Sequence, residues 1–298
     1  MDSSLSPAPR HAATVLLLRE RDRELQTLLL MRHTALKFMA GAWVFPGGGL
    51  APHDYGPLAL SRLLNAPDET HGFKDVNLAP LATDLVRGLF VCACRETFEE
   101  TGVLLAQYAD GTPCDAAQVA RLQSERAAID HDARLFAHML EREQLYLDAA
   151  KLLYWSHWIT PSALGPTRFD TRFFAISMPE HQDIGSLSRE SDRAAWLRVC
   201  DVQDTVERGE MHISPPTLSN FEDVQRCYDR NGSIAALVAH ERQRVVFPLL
   251  PKHVRTDAGK IVLMPWDPDY AGAPGDGTPV AELPSELLLQ ASRRVINR

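Results

Sequence analysis

Nine residues, RETFEETGV at 95–103, restrict this chain more than any other stretch. They close the run DLVRGLFVCACRETFEETGVLLA, whose apolar residues fall at 85, 86, 89, 90, 93, 94 and 98. That is the rhythm of a helix with one apolar side. Thr83 or Asp84 is suited to cap its start and Gly102 to end it. On such a helix Glu96 lies three residues before Glu99 and four before Glu100, so the three carboxylates share a side. Crowded like charges repel and raise the proton affinity of at least one member. Either water solvates them, or a hard divalent cation sits among them. Mg²⁺ prefers oxygen ligands, keeps part of its water and bridges to phosphates. Arg95, four residues before Glu99, can pair with it.

The stretches before this helix read as strands. AATVLLL (12–18) and LQTLLLM (25–31) flank the charged turn RERDRE and predict a hairpin. AWVF (42–45) is strand-like, and PGGG (46–49) is expected to end it in a tight turn. The glycines at 47 and 48 offer carbonyls with no side chain in the way. Residues 51–82 read as a long excursion with one short helix, and an excursion of that size inside a compact domain is usually functional. Residues 115–150 predict two helices, near 115–129 and 133–147. LLYWSHWIT and TRFDTRFFAISM follow as strands broken by PSALGP, then RAAWLRV as another strand. DVQDTVERG and residues 215–245 read as helical, and the Pro- and Gly-rich tail as a surface wrap.

Composition excludes some functions. The chain has 298 residues and a net charge of −8, which argues against a nucleic-acid binder with a basic face. Small anionic substrates stay open, because a few local cations outweigh the global sign. Five cysteines, at irregular spacing, read as reduced thiols in a cytoplasm. The only apolar run near the N-terminus is too short for a signal peptide or a membrane span, so no membrane partner is expected. The C-terminal RRVINR is not an S-K-L address.

RETFEETGV resembles the second half of the Nudix box, R-E-U-x-E-E-x-G-U with U a bulky aliphatic, the signature of Nudix hydrolases. The first half, G-x5-E, has Gly48 followed at the right distance by Asp54 rather than Glu. The family's usual gap from that acid to the arginine is seven residues; here residues 55–94, 40 in number, intervene. Thr97 also departs from the aliphatic. The resemblance leaves Asp54 without an assigned role. It implies an α+β fold, a Nudix-type α/β/α sandwich with a mixed central sheet. It would be one domain over 10–270, with an insertion at 55–83, a helical segment at 115–150 and helical C-terminal elaboration, followed by a tail at 271–298. It implies that Glu96, Glu99 and Glu100 hold Mg²⁺ or Mn²⁺, helped by a carbonyl of Gly47 or Gly48, and that Arg95 orients Glu99. Glu99, Glu100 or the loop acid Glu190 would take the proton of the attacking water. A plain surface charge is the alternative for Glu190.

A second pattern precedes the box. Arg32, Lys37 and Gly41 stand before FPGG with the spacing R-x4-K-x3-G-x3-FPGG, which resembles the motif of coenzyme A pyrophosphatases among Nudix enzymes. Basic residues there would meet the 3'-phosphate of coenzyme A; an ordinary solvated rim is the alternative. WITPSALGPTRFDTRFF, AAWL and the PPT at 215–217 are similar to the Nudix type 19 group, which also has a split box. The implied activity is hydrolysis of a pyrophosphate bond in coenzyme A or acyl-coenzyme A. ADP-ribose, NADH or a dinucleotide polyphosphate is the alternative substrate, and a non-catalytic Nudix-fold sensor the alternative of another class. Nudix relatives often dimerise, so the resemblance admits a homodimer.

Overall fold

In the computed structural model the described residues are 7–36, 39–67, 72–75, 78–256, 259–277, 279 and 293–296. The hairpin forms as its apolar runs predict: β1 (Arg10–Arg21) pairs antiparallel with β2 (Glu24–Arg32). Trp43–Val44 (β3) pairs with β2. The glycine run does not end the strand in a tight turn. Gly47–Gly49 is itself a strand (β4), antiparallel to β1, with Gly47 opposite Thr14 and Gly48 opposite Ala13. Glycine is required at 47 by close approach as well as by its φ of +157°, since a Cβ there would lie 2.5 Å from the Ala13 carbonyl oxygen.

The excursion carries α1 (Pro57–Ser61) and β5 (Leu63–Leu64) before the long helix α2 (Thr83–Thr101). That helix is N-capped by Ala82, with no side-chain cap bond, and ends at Gly102 in the left-handed conformation (φ +76°). Next come α3 (Ala116–Leu122), α4 (Arg126–His131), α5 (Arg134–Arg142) and β6 (Leu147–Asp148). The second helix expected in this segment thus stops at Arg142, and its last residues turn extended because Leu147 and Asp148 pair in parallel with Leu63 and Leu64. Then β7 (Leu153–Ile159), β8 (Phe169–Ser177), β9 (Ser191–Leu197), α6 (Val199–Glu207), α7 (Pro215–Asn231) and α8 (Ile234–Glu241) follow. The chain continues through β10 (Pro248–Leu249), β11 (Lys252–Thr256), β12 (Gly259–Leu263) and β13 (Arg293–Ile296).

The main sheet runs β10-β7-β8-β1-β2-β3, with β4 also on β1 and β9 also on β2. It is mixed: β1 with β8 and β7 with β10 are parallel, the other pairs antiparallel. Alternation along β1 divides the core. Ala13, Val15 and Leu17 face α2 together with Phe90, Phe98 and Phe174. Leu16 and Leu18 face the other layer, with Trp155, Phe173 and Phe221 of α7. The layers are helix, sheet, helix, as period-2 strands buried on both faces require. The aromatic run of β7 and β8 is shared between the two cores. The tail segment 264–277 does more than wrap: Tyr270 is fully buried, and Lys252 Nζ donates to the carbonyls of Tyr270 and Ala273. Among the described residues no helix is long and apolar enough to cross a membrane.

The described residues of the excursion are tied to the domain at several points. Tyr55 packs so closely on α2 that a Cβ at Gly88 would meet its Cβ at 2.7 Å. Phe73 stacks on Tyr154 with ring centroids 4.1 Å apart, and Arg172 Nη2 donates to the Lys74 carbonyl at 2.7 Å. Arg172 belongs to a buried polar network where β1 and β8 begin. Asp170 is hydrogen-bonded to His157 Nε2, lies 2.9 Å from Arg172 Nη1 and 3.2 Å from His11 Nδ1. Burial pushes His157 down to about 4, against the pull of Asp170. Burial opposes the Asp170 carboxylate, but hydrogen bonds from His11 and His157 hold it below the usual range.

This network has a pH signature. Between about 6.5 and 4 the unfolded chain protonates His157 while the folded chain keeps it neutral, so stability is lost as pH falls through that window. Replacing the imidazole removes this proton uptake but leaves all other groups in place. The melting-temperature advantage of the wild type over His157→Gln is therefore expected to shrink from pH 7.5 to pH 4.5, by roughly 2–4 °C per kcal/mol. A gap that stays constant across that range would contradict the buried neutral imidazole.

Candidate functional site

The two halves of the split motif meet in space. Asp54, 2% exposed, is pinned at the start of the excursion by Ala51, whose N–H donates to Asp54 Oδ2 at 2.8 Å. Its carboxylate takes Arg95 in a two-pronged bridge, Nε to Oδ1 at 2.7 Å and Nη2 to Oδ2 at 2.9 Å. A planar guanidinium and a carboxylate match in this geometry, which fixes direction as well as distance. Arg95 Nη1 then donates to Glu99 Oε1 at 2.9 Å and lies 3.0 Å from Glu96 Oε1, while Nη2 reaches the Gly49 carbonyl at 3.1 Å. Arg95 thus orients Glu99, and Asp54 orients Arg95. Burial works against the guanidinium, but the hydrogen bonds to Asp54 and the charge of Glu96 prevail and keep it protonated.

The glycine strand supplies the opposite wall. Gly47 N–H donates to Glu100 Oε2 at 2.9 Å. Gly48 lies under Glu96 so closely that a Cβ would stand 2.5 Å from its carboxyl carbon. The Gly48 carbonyl is 3.8 Å from the buried Cys92 Sγ, and burial raises that thiol well above its ordinary value. So Gly47 meets Glu100 through its N–H, and Gly48, having no side chain, leaves room for the Glu96 carboxyl.

Three carboxylates, Asp54, Glu96 and Glu99, meet one guanidinium, and a fourth, Glu100, stands nearby on the Gly47 N–H. Burial raises the proton affinity of all three glutamates. Glu96 is pushed up to about 7, with Glu99 and Asp54 adding to burial and Arg95 opposing it. Glu100 is raised well above the usual range by burial and by Glu96, against the Gly47 N–H. Glu99 is raised by burial and held back by Arg95. Among the described residues no three acids converge on one point: Glu96 and Glu99 both lean on Arg95, and Glu100 on Gly47. The excess of negative charge over positive, on side chains that carry only oxygen donors, nevertheless fits a hard divalent cation.

The remaining candidates lie around this centre. Glu190 is exposed at the end of the loop that leads into β9; its carbonyl accepts from His33 N–H at 2.7 Å, and its charge reaches Glu100. Arg32, at the end of β2, makes its charge felt at Glu100 with the opposite sign. Gly41 adopts φ +68° and donates its N–H to the Arg32 carbonyl at 3.1 Å, closing the loop between β2 and β3. Lys37 lies outside the described residues. Sequence reasoning left Asp54 without a role, and it gave no role to Arg126. The signal for Asp54 was its position six residues after Gly48, masked by the intervening excursion.

A family model, the NUDT19 Nudix domain, matches residues 9–226. The chain is a Nudix hydrolase of the NUDT19 type. The human acyl-coenzyme A diphosphatase NUDT19 is 30% identical over 272 residues, covering 76% of this chain and 71% of the human protein. The chicken acyl-coenzyme A diphosphatase NUDT19 is 27% identical over 291 residues, covering 83% and 75%. Among solved structures, a Nudix hydrolase from Alicyclobacillus acidocaldarius superposes with a TM-score of 0.58 at 24% identity, covering 79% of this chain and 97% of that one. The split box and the sheet order described above thus belong to a Nudix fold.

Proposed function

We propose that this chain hydrolyses the pyrophosphate bond of coenzyme A or an acyl-coenzyme A with Mg²⁺ or Mn²⁺, in the cytoplasm. The observation that supports the chemistry most is the reassembled box, Asp54–Arg95–Glu99 facing the glycine strand that holds Glu96 and Glu100. The substrate rests on the activity named for the relatives and on Arg32, whose charge reaches Glu100. The five cysteines are free thiols, four of them buried, which agrees with a reducing compartment.

Glu96, Glu99 and Glu100 would hold the cation. When bound, it neutralises charge on the pyrophosphate and acidifies water. Arg95 keeps the Glu99 carboxylate aimed and opposes the rise in proton affinity that burial imposes on it. A water oxygen bonds to one phosphorus, its proton passes to Glu190, Glu99 or Glu100, and the bond from that phosphorus to the bridging oxygen breaks. Coenzyme A and one water would give 3',5'-ADP and 4'-phosphopantetheine. Arg32, with Lys37, would meet the 3'-phosphate. A homodimer accords with the family's habit; sedimentation would test it.

The test is phosphate-product release with Mg²⁺ on coenzyme A, acetyl-coenzyme A, ADP-ribose, NADH and diadenosine polyphosphate, with Glu99→Gln as control. Selective cleavage of the coenzyme A compounds is expected, together with a higher KM for them in Arg32→Ala and little change for ADP-ribose. Cleavage of another member alone would keep the Nudix chemistry and discard coenzyme A. No turnover, with metal-independent ligand binding, would point to a sensor.

A further inference from the structure

The helical segment 115–150 contributes one side chain to the catalytic helix that the chemistry above does not use. Arg126 opens α4 and is 7% exposed. Its Nε and Nη2 both donate to the Glu99 carbonyl, at 3.2 and 2.6 Å, and its Nη1 donates to the Ser186 carbonyl at 2.6 Å. The first contact places a cation at the C-terminal turn of α2, where unpaired carbonyls carry partial negative charge. The second crosses to the loop between β8 and β9, which ends at Glu190. Gln123 works beside it, donating to the Gly102 carbonyl at 3.0 Å.

The same loop is stitched to the helix end at further points. Gly185 N–H donates to the Thr101 carbonyl at 2.7 Å, and the Gln182 amide exchanges two hydrogen bonds of 2.9 Å with the Leu104 backbone. A Cβ at Gly102 would lie 2.9 Å from Gln123 Nε2, and one at either Gly102 or Gly185 would lie 3.2 Å from Arg126 Nη1. The box glycine therefore ends the helix and also lets Gln123 and Arg126 approach. A lysine at 126 has one point charge where the guanidinium fork spans two carbonyls.

We infer that Arg126 is a positioning residue, which sets the Glu190 loop in register with Glu99 and Glu100. This rests on the proposed hydrolysis, in which a loop carboxylate takes the proton of water. The experiment uses the full chain with Arg126→Met and Arg126→Lys, each in wild-type and Glu190→Gln backgrounds. On acetyl-coenzyme A with Mg²⁺, Arg126→Met is expected to lower kcat on the order of 10-fold to 100-fold, as outer partners of metal sites do, with KM within about threefold. Arg126→Lys should recover part of the loss. In Glu190→Gln the same substitution should cost less than about threefold, because residues that act as a unit are not additive. Mn²⁺ affinity without substrate, read by electron paramagnetic resonance, should stay unchanged.

An unchanged kcat in folded Arg126→Met, equal losses in both backgrounds, or a parallel fall in Mn²⁺ affinity would each overturn the assignment. Hydrogen exchange reads the brace without any substrate. The Gly185 amide should lose protection in Arg126→Met while the amides of residues 87–98 keep theirs. Unaltered protection at Gly185 would overturn it too. A wild type inert on acetyl-coenzyme A would instead count against the proposed substrate, leaving the exchange result to decide on Arg126.

Discussion

Glu99→Gln and Glu100→Gln are each expected to lower kcat by about 10³-fold or more, since a bound divalent ion contributes several kcal/mol of charge stabilisation and each 1.4 kcal/mol is tenfold. Their effect on stability should run the other way. Both carboxylates sit in a buried cluster that already favours protons over negative charge. A neutral amide of the same shape removes that burden, so in metal-free buffer at neutral pH both variants should melt at or above the wild-type temperature. Glu100→Gln should gain more, because burial and Glu96 raise the Glu100 carboxyl well above the usual range, whereas Glu99 accepts a hydrogen bond from Arg95. Kinetics and thermal melts on the same preparations give the test. Near-wild-type turnover in both variants would remove these residues from the reaction, whereas low activity with an early melt would mean misfolding.

Asp54→Ala should combine a large loss of stability with a moderate loss of rate. The substitution strips two hydrogen bonds from a guanidinium that is 4% exposed and leaves its charge short of a partner. Breaking a buried pair on one side typically costs about 3–5 kcal/mol. Glu96 and Glu99 remain within reach of Arg95, which places the expected value near the lower end, about 3 kcal/mol. Arg95 would then be free to rotate away from Glu99, and kcat should drop about 10-fold to 100-fold. Asp54→Asn keeps the shape and one acceptor and should fall between. Urea titration and initial rates check this; wild-type stability in Asp54→Ala would show that the spatially closed box is not what holds Arg95.

Local patterns were legible wherever one element contains both partners. RETFEETGV specifies a helix, a carboxylate patch and an Arg95–Glu99 pair through spacings of three and four residues, and all of these appear as read. The hairpin and the strands β7, β8 and β9 were readable for the same reason, since period-2 burial is a property of each segment. The PGGG run misled because glycine permits a turn without requiring one. Pairing with β1 decides its extended form, and only the register opposite Ala13 and Thr14 shows this. The end of the second insertion helix was likewise set from outside, by Leu63 and Leu64 of β5.

Partnerships across long separations had no period to betray them. Asp54 and Arg95 are 41 positions apart, Arg126 and Ser186 are 60, and neither interval carries a repeating pattern. In the sequence Arg126 is one of four arginines in the Ala- and Leu-rich segment 115–150. Its direction follows from packing α4 against the end of α2, and its second partner from the loop that carries Ser186, which reaches the same place through the sheet. The chemistry of the site is thus written in residue types and short spacings, while the charges that aim those residues come from chain segments that meet by folding.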